Sequence, residues 1–215
     1  MLKGKKVSIL GDSISTYSGV SNNSSLCHGT AYYPCFYKEP FPKEKTYWQR
    51  VIDSLGLVLC VNNSYSGGNL SGIDNPDSGV NRANNLSRCD GTAPDVIIVF
   101  MGINDLGRGV DVNVFADDYT KTLNAIKQAH QNAKVCCVNI PDRDIFLKQR
   151  ATLFNDKLEK AVKDAGENFF IADLFTSRLN NDFYYMNTLD GLHPDEDGMK
   201  IIAEIVENAL KSNIN

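Results

Sequence analysis

Five short apolar segments recur along this chain, and between them lie longer stretches with helical periodicity. The segments are rich in β-branched or aromatic residues, and their apolar runs are continuous rather than alternating. Such runs are typical of strands that are covered on both faces of a parallel sheet. The sequence therefore predicts strands at 6–10, 57–62, 96–101, 134–140 and, from a weaker pattern, 169–172.

The stretches between these strands place apolar residues at helical spacing. The pattern predicts helices at 46–55, 112–131, 146–165 and 195–210. Strands that alternate with helices form right-handed βαβ units, so we expect a three-layer α/β/α sandwich around a mostly parallel five-stranded sheet. With 215 residues, the chain is expected to form one domain over residues 1–215.

Charge and composition exclude several classes of partner. The net charge is -4 and no basic block is present, so we do not expect nucleic acid as a partner. No run approaches the length of a membrane helix and no secretory signal is visible, so we expect a cytoplasmic protein without a membrane partner. A chain trimmed of its signal would look the same.

Cys136 and Cys137 lie in an apolar run and are expected to be buried thiols in a reducing compartment.

Polar, glycine-rich segments follow three of the strands, at 11–13, 66–68 and 102–105. In an open α/β sheet, ligands bind at the carboxyl ends of the strands, so these segments are expected to carry the chemistry. A loop at about 16–45 is rich in aromatic residues and leaves the sheet on the same side. Loops of this length in a compact domain are usually functional or disordered, and the aromatic content argues against disorder.

Ser13 stands directly after the first strand, where a serine can expose its hydroxyl. Two alternatives exist for this position. Ser13 can cap a helix, or residues 11–15 can form an anion-binding loop in a flavodoxin-like binding module. A nucleophilic hydroxyl would instead need a base.

Three histidines are candidates for that base. His193 follows Asp190 by three residues across a glycine-containing turn, so the carboxylate can accept the Nδ1 proton and orient the ring. Pro194 is placed to open the last helix, and a simple turn and helix start is the alternative. His130 ends a long helical pattern away from the site and is expected on the surface or near the helix dipole. His28 lies in the aromatic loop without further support.

Donors for a developing oxyanion are suggested at two places. Asn104 offers a side-chain amide after the third strand, and Gly67 offers a backbone N–H without a side chain in the way. Either can also be an ordinary turn residue. Cys27, His28 and Cys35 could be imagined as metal ligands, but no second ligand pair follows at the spacing of a zinc site, so we expect no metal.

Four ordered blocks together resemble those of the SGNH (GDSL-type) hydrolases. They are Gly-Asp-Ser at 11–13, Asn-Ser-Tyr-Ser-Gly at 63–67, Gly-Ile-Asn-Asp at 102–105 and Asp-Gly-Leu-His-Pro at 190–194. The resemblance, over about residues 6–210, implies a flavodoxin-like sheet, no cofactor and ester hydrolysis through an acyl-enzyme. It implies a catalytic triad of Ser13, Asp190 and His193, and an oxyanion hole of Ser13, Gly67 and Asn104. Gly68-Asn69 departs from the family, which commonly has an acidic or hydroxyl residue there.

The substrate is less constrained than the reaction, because this family acts on many esters. Tyr32, Tyr33, Trp48 and Tyr65 could offer stacking faces for a sugar, which favours a short-chain esterase, for example a carbohydrate O-acetylesterase. A lysophospholipase or thioesterase remains an alternative. The aromatic residues could equally pack the loop onto the sheet, and the sequence leaves open whether the loop is a lid or a fixed wall.

Overall fold

The computed structural model describes residues 1–21, 31–34, 41–141, 148–177 and 187–214. Five strands form one fully parallel sheet in the order β2-β1-β3-β4-β5. The strands are β1 Lys6–Gly11, β2 Val58–Ser64, β3 Val96–Phe100, β4 Lys134–Val138 and β5 Phe169–Ala172. The predicted fold class is confirmed, and the predicted strand bounds differ by at most two residues at either end.

Six helices accompany the strands in the described residues. They are α1 Tyr47–Leu55, α2 Gly79–Arg82, α3 Ile103–Gly107, α4 Val112–Ala129, α5 Lys148–Ala165 and α6 Glu196–Asn213. The four longer ones match the predicted helices. The predicted start of α5 at residue 146 lies outside the described residues. None of the helices in these ranges is long and apolar enough to cross a lipid bilayer.

The handedness of the crossovers determines which face of the sheet each connecting helix covers. The chain moves from β1 to β2 in one direction and then returns past β1 to β3, β4 and β5. Right-handed connections in opposite directions place their helices on opposite faces of the sheet. Accordingly, α1 packs against α6, and α4 packs against α5. All five residues of β3 are buried, as expected for a strand covered on both faces.

Local sequence explains how the helices begin. Thr46, Asp111 and Asp195 each cap a helix by accepting a backbone N–H from its first turn. Asp195 is the capping residue of α6, so Pro194 does not open the helix as predicted. Pro194 instead forms a single antiparallel bridge with Thr188, which folds the preceding loop back on itself.

The reversal of direction at β1 creates the crevice of this fold. Gly11 at the end of β1 pairs with Ser64 of β2 on one side and with Phe100 of β3 on the other. The segments that follow these three strands therefore leave the sheet side by side, at the position where open α/β sheets bind ligands.

Candidate active site

Ser13 occupies a short 3-10 turn, Ser13–Ser15, directly after β1. Asp12 caps this turn by accepting the N–H of Ile14 at 3.0 Å, so Ser13 is not the helix cap that the sequence allowed. Gly11 is required by close packing, because a Cβ at this position would lie 2.5 Å from the Cβ of Ser15 and 2.7 Å from Oγ of Ser64. The missing side chain lets the chain turn sharply and carry the Ser13 hydroxyl to the edge of the sheet.

His193 lies on a tight loop that Asp190 organises. One carboxylate oxygen of Asp190 accepts the N–H of Leu192 at 3.0 Å and the N–H of His193 at 2.8 Å. Gly191 adopts φ +83° between them, a conformation that favours glycine. The Thr188 and Pro194 bridge closes the loop and holds it at the start of α6.

The structure brings Ser13, His193 and Asp190 into one hydrogen-bonded chain. Nε2 of His193 lies 2.8 Å from Oγ of Ser13, and Nδ1 lies 2.8 Å from Oδ2 of Asp190. Ser13 and His193 are buried, whereas 43% of the Asp190 side chain is exposed. Neutral imidazole with its proton on Nδ1 can donate to the carboxylate and accept the serine proton at Nε2.

Asp190 is held in its ionised form. Its partial burial alone would raise its pKa, but hydrogen bonds from the N–H and imidazole of His193 and from the Tyr32 hydroxyl lower it, together with the charge of His193. The resulting pKa of Asp190 is about 2. A carboxylate that stays charged near neutrality can stabilise an imidazolium as it forms.

Gly67 and Asn104, the two candidate oxyanion donors, lie on adjoining segments. Gly67 has φ +70°, a left-handed conformation in which most side chains would be strained. Asn104 follows β3 in the first turn of α3 and donates one amide hydrogen to the carbonyl of Gly68 at 3.0 Å. Its NH₂ group carries a second hydrogen that is available to a substrate oxygen. The roles of both residues remain predictions.

Asp105 anchors the loop that carries Gly67, a role that the sequence reasoning missed. Its buried carboxylate accepts the N–H of Leu70 at 2.7 Å and that of Ser71 at 2.9 Å. Burial raises the pKa of Asp105 in spite of these hydrogen bonds. Its position beside Asn104 in the third block was the available signal.

Two arginines hold the same region, and neither was predicted. Arg108 donates to the carbonyl of Gly67 and to Oδ1 of Asn69, each at 2.7 Å. This pairing gives the unusual Asn69 a structural role. The buried Arg82 donates to the carbonyl of Gly11 at 3.1 Å and lies over the ring of Tyr65. No local sequence signal marks either arginine, because their partners lie far away in the chain.

Tyr32 covers one face of the candidate base. Its ring stacks on the imidazole of His193 with centroids 3.4 Å apart and planes inclined by 12°. Its hydroxyl donates to Oδ2 of Asp190 at 2.8 Å. The sequence singled out Tyr32 as a possible sugar-stacking face, whereas the structure places it against the histidine.

Most other aromatic residues that were considered for stacking are packed in the interior. Tyr33 and Trp48 are buried in the hydrophobic core, which supports the packing alternative for them. Tyr65 is partly exposed beneath Arg82. Residues 22–30 and 35–40 of the predicted loop at 16–45 lie outside the described residues.

The remaining candidates lie away from this site or outside the described residues. His130 caps the end of α4 and is 6% exposed, and burial lowers its pKa. The predicted surface position is therefore wrong, whereas the predicted place at the C-terminal end of a long helix is confirmed. Cys136 and Cys137 are buried free thiols, as predicted. Cys27, His28 and Cys35 lie outside the described residues, within which no cluster of three metal-ligating side chains occurs.

A family model described as GDSL-like lipase/acylhydrolase matches residues 5–210. The chain belongs to this family. The resemblance suggested by the four sequence blocks is thereby confirmed, and it places the chain among ester-hydrolysing enzymes. No protein with a curated function matched the sequence of this family member.

Solved structures of several other proteins have the same fold as this GDSL-like chain. A protein of Bacteroides uniformis described as a GDSL-like lipase is 27% identical, with a TM-score of 0.70 over 97% of this chain and 96% of its own. A similarly described protein of Bacteroides ovatus is 21% identical, with a TM-score of 0.71 over 98% and 99%. A family two carbohydrate esterase of Clostridium thermocellum is 15% identical, with a TM-score of 0.71 over 100% and 65%.

Proposed function

We propose that this protein is a serine esterase that hydrolyses short-chain acyl esters through an acyl-enzyme. One observation carries the proposal, namely the continuous chain from Ser13 Oγ to His193 Nε2 and from His193 Nδ1 to Asp190, with 2.8 Å at each step. An anion-binding module would have no use for this arrangement, because it needs neither a base nor an orienting carboxylate.

In the proposed reaction, Oγ of Ser13 attacks the carbonyl carbon of the ester as its proton passes to Nε2 of His193. The tetrahedral intermediate collapses, the bond to the leaving oxygen breaks, and the imidazolium gives its proton to the leaving alcohol. Water then attacks the acyl-enzyme with His193 again acting as base. The acid is released and the Ser13 hydroxyl is restored.

Charge on the carbonyl oxygen would be stabilised by three donors, the backbone N–H groups of Ser13 and Gly67 and the side-chain amide of Asn104. Such preorganised donors stabilise the transition state more than the substrate. The tethers from Arg108 to the Gly67 carbonyl and from Asp105 to the following residues support this role, because they fix the loop before substrate binds.

We propose an acylated carbohydrate as the substrate class, with acetyl as the acyl group. Similarity in fold to carbohydrate esterases of family two, from Corynascus and from Clostridium thermocellum, supports this choice. An esterase EstA of Pseudoalteromonas also shares the fold at 18% identity. A lipolytic hydrolase acting on lysophospholipids or thioesters is the competing assignment within the family.

Replacement of Ser13 tests the nucleophile. Hydrolysis of p-nitrophenyl acetate should fall by several orders of magnitude in Ser13→Ala, because members of a triad act as a unit. Ser18→Ala is the matched control, since this exposed serine lies on the same connection and should retain full activity. A fluorophosphonate should label wild-type Ser13 covalently. Unchanged hydrolysis in Ser13→Ala would contradict the proposal.

Replacement of His193 and variation of pH test the base. His193→Ala should lose activity to a similar extent, whereas His130→Gln, at the opposite end of the sheet, should not. Because the base must be unprotonated, kcat/KM of the wild type should fall as the pH drops below neutrality. Activity that persists unchanged to pH 5 would argue against a histidine base.

A substrate series separates the two substrate classes. We expect acetyl esters to be hydrolysed faster than butyryl and octanoyl esters of p-nitrophenol, and acetate to be released from acetylated xylo-oligosaccharides. Preference for octanoyl esters, lysophosphatidylcholine or acyl-coenzyme A would instead assign the protein to the lipolytic branch. The Ser13→Ala variant serves as the blank in each assay.

A further inference from the structure

Tyr32 makes two contacts with the candidate triad that the proposed mechanism does not itself require. Its ring covers the imidazole of His193, and its hydroxyl donates to Oδ2 of Asp190, the oxygen that also faces Nδ1 of His193. A single side chain therefore contacts both the base and its orienting acid.

The backbone of Tyr32 is fixed to the turn that carries the nucleophile. Its N–H donates to Oγ1 of Thr16 at 2.8 Å, and the Thr16 hydroxyl donates in turn to the carbonyl of Ser13 at 2.8 Å. Tyr32 thus links the Ser13 turn to the loop of Asp190 and His193. These two segments are separated by 180 residues in sequence, and Tyr32 joins them through hydrogen bonds in addition to the reacting pair itself.

The neighbouring Tyr33 strengthens this position. Its buried hydroxyl donates to the carbonyl of Pro194 at 2.7 Å, and its carbonyl accepts the N–H of Ser18 at 2.8 Å. The rings of Tyr32 and Tyr33 contact each other edge to face, with centroids 4.9 Å apart. Tyr32 is therefore held from several directions and can act as a rigid wall.

A histidine held only by its Nδ1 hydrogen bond can still tilt about that bond and move Nε2 away from the serine. A ring stacked flat on the imidazole opposes this tilt. The stack also closes one face of the imidazole to water and substrate, because no atom fits between rings 3.4 Å apart. The π face of a phenol ring also attracts the positive charge that the imidazole acquires during attack.

We propose that Tyr32 is a positioning residue for the base, holding the plane of His193 with its ring and the carboxylate of Asp190 with its hydroxyl so that Nε2 remains aimed at Ser13. This inference rests on the proposed esterase function for its kinetic consequences. Its structural consequence, a restrained imidazole, can be measured without turnover.

The groups around His193 give the expected pH effect. Asp190 faces Nδ1, the Ser13 hydroxyl faces Nε2, and Tyr32 faces the ring plane. The Tyr32 hydroxyl draws electron density from the Asp190 carboxylate. Its removal should make that carboxylate a stronger partner for imidazolium and so raise the pKa of His193.

Two substitutions separate the contribution of the ring from that of the hydroxyl. Tyr32→Phe keeps the stack and should lower kcat by at most about tenfold, since one charge-assisted hydrogen bond is only partly felt in the transition state. The fall of kcat/KM on the acidic side of the pH profile, here called the acid limb, should move to higher pH in this variant. KM for p-nitrophenyl acetate should stay unchanged. Tyr32→Leu removes the wall and should lower kcat by about 100-fold, as expected for a misplaced catalytic group.

Tyr33→Phe is the matched control, because it removes a neighbouring hydroxyl that binds the same loop through a backbone carbonyl. It should lower the melting temperature but leave the acid limb where it is in the wild type. If Tyr33→Phe shifts the acid limb as much as Tyr32→Phe, the effect is a general loosening of the loop, and the proposal is wrong.

Proton and nitrogen NMR of the His193 imidazole supplies the readout that does not depend on activity. The hydrogen-bonded Nδ1 proton should give a far-downfield resonance in the wild type and in Tyr32→Phe, and it should be lost to exchange in Tyr32→Leu. If the resonance survives in a folded Tyr32→Leu variant with wild-type kcat, Tyr32 does not position the base. If the wild type hydrolyses no ester and Ser13 resists the fluorophosphonate, the proposed function fails, while the resonance still decides the role of Tyr32.

Discussion

At the scale of single residues, the side chains of the candidate triad are held by hydrogen bonds other than those that link the triad. Asp12 caps the turn that carries Ser13. The Oδ1 atom of Asp190 accepts the backbone N–H of His193, and the Tyr32 hydroxyl donates to the Oδ2 atom of the same carboxylate. Reactive groups need such support because a displacement of about 1 Å can cost 100-fold in rate. The same reasoning applies to the oxyanion donors.

Asn104 provides a test at this scale. Removal of its amide in Asn104→Ala should lower kcat by about 10²–10³, the usual effect of losing one oxyanion donor. KM should change little, because the interaction strengthens only in the transition state. Asn113→Ala, at an exposed position early in α4, is the control and should leave kcat and KM unchanged. An increase in KM with an unchanged kcat would show that Asn104 binds the substrate but does not stabilise the oxyanion.

At the scale of elements, α3 and the loop after β2 form one unit through Asp105. The carboxylate lies in the first turn of α3 and takes two N–H groups from residues 70 and 71, so the loop with Gly67 cannot move independently of the helix. Arg108, just after the end of α3, holds the carbonyl of Gly67 in the same loop. A short helix thereby positions two of the three proposed oxyanion donors.

Asp105→Asn tests this unit. An amide can accept with only one atom, so one of the two N–H groups would face an NH₂ group and stay unsatisfied in the interior. We expect the free energy of unfolding in urea to fall by about 1–3 kcal/mol and kcat to fall with it. Asp117→Asn, on the exposed face of α4, should change neither. Wild-type stability in Asp105→Asn would mean that the loop is held by other contacts.

At the scale of the whole molecule, the carboxyl groups of Asp12 and Asp190 should make the stability depend on pH in opposite directions. Burial raises the pKa of Asp12 to about 7, whereas the contacts of Asp190 lower its pKa to about 2. Asp12 therefore stabilises the fold fully below pH 4, and this contribution is lost as the pH rises through 7. Asp190 contributes above pH 4, and its contribution is lost as the pH falls through 2.

Asp12→Asn isolates the first of these effects, because asparagine can still cap the turn but cannot ionise. Between pH 4 and pH 7, the free energy of unfolding of the wild type should fall relative to that of the variant. Above pH 7, the difference between the two proteins should stay constant. Each pKa unit corresponds to about 1.4 kcal/mol, so the difference should reach up to several kcal/mol. Parallel curves across the whole range would show that Asp12 titrates normally. Chemical denaturation at a series of pH values measures the difference.

The sequence by itself determined the sheet, the layers and the short-range parts of the site. Continuous apolar runs between helical patterns are local signals, and the pairing of Asp190 with the His193 loop spans three residues, so these features could be predicted from spacing alone. The prediction that Pro194 opens α6 failed within this same loop, because the capping preference of Asp195 was stronger. His130 was misplaced because burial depends on what packs against the end of α4.

Only the tertiary structure decided which distant groups support the reactive ones. Tyr32 and His193 are 161 residues apart, and their stacking depends on how residues 31–34 dock beside the Ser13 turn. Asp105 and Arg108 hold the loop after β2, and Arg82 holds the carbonyl of Gly11 at the end of β1. Most of these partners are backbone groups, which leave no pattern in a sequence. The physical reason is common to all of these contacts. They form between segments that meet only when the parallel sheet brings the ends of its strands to one edge.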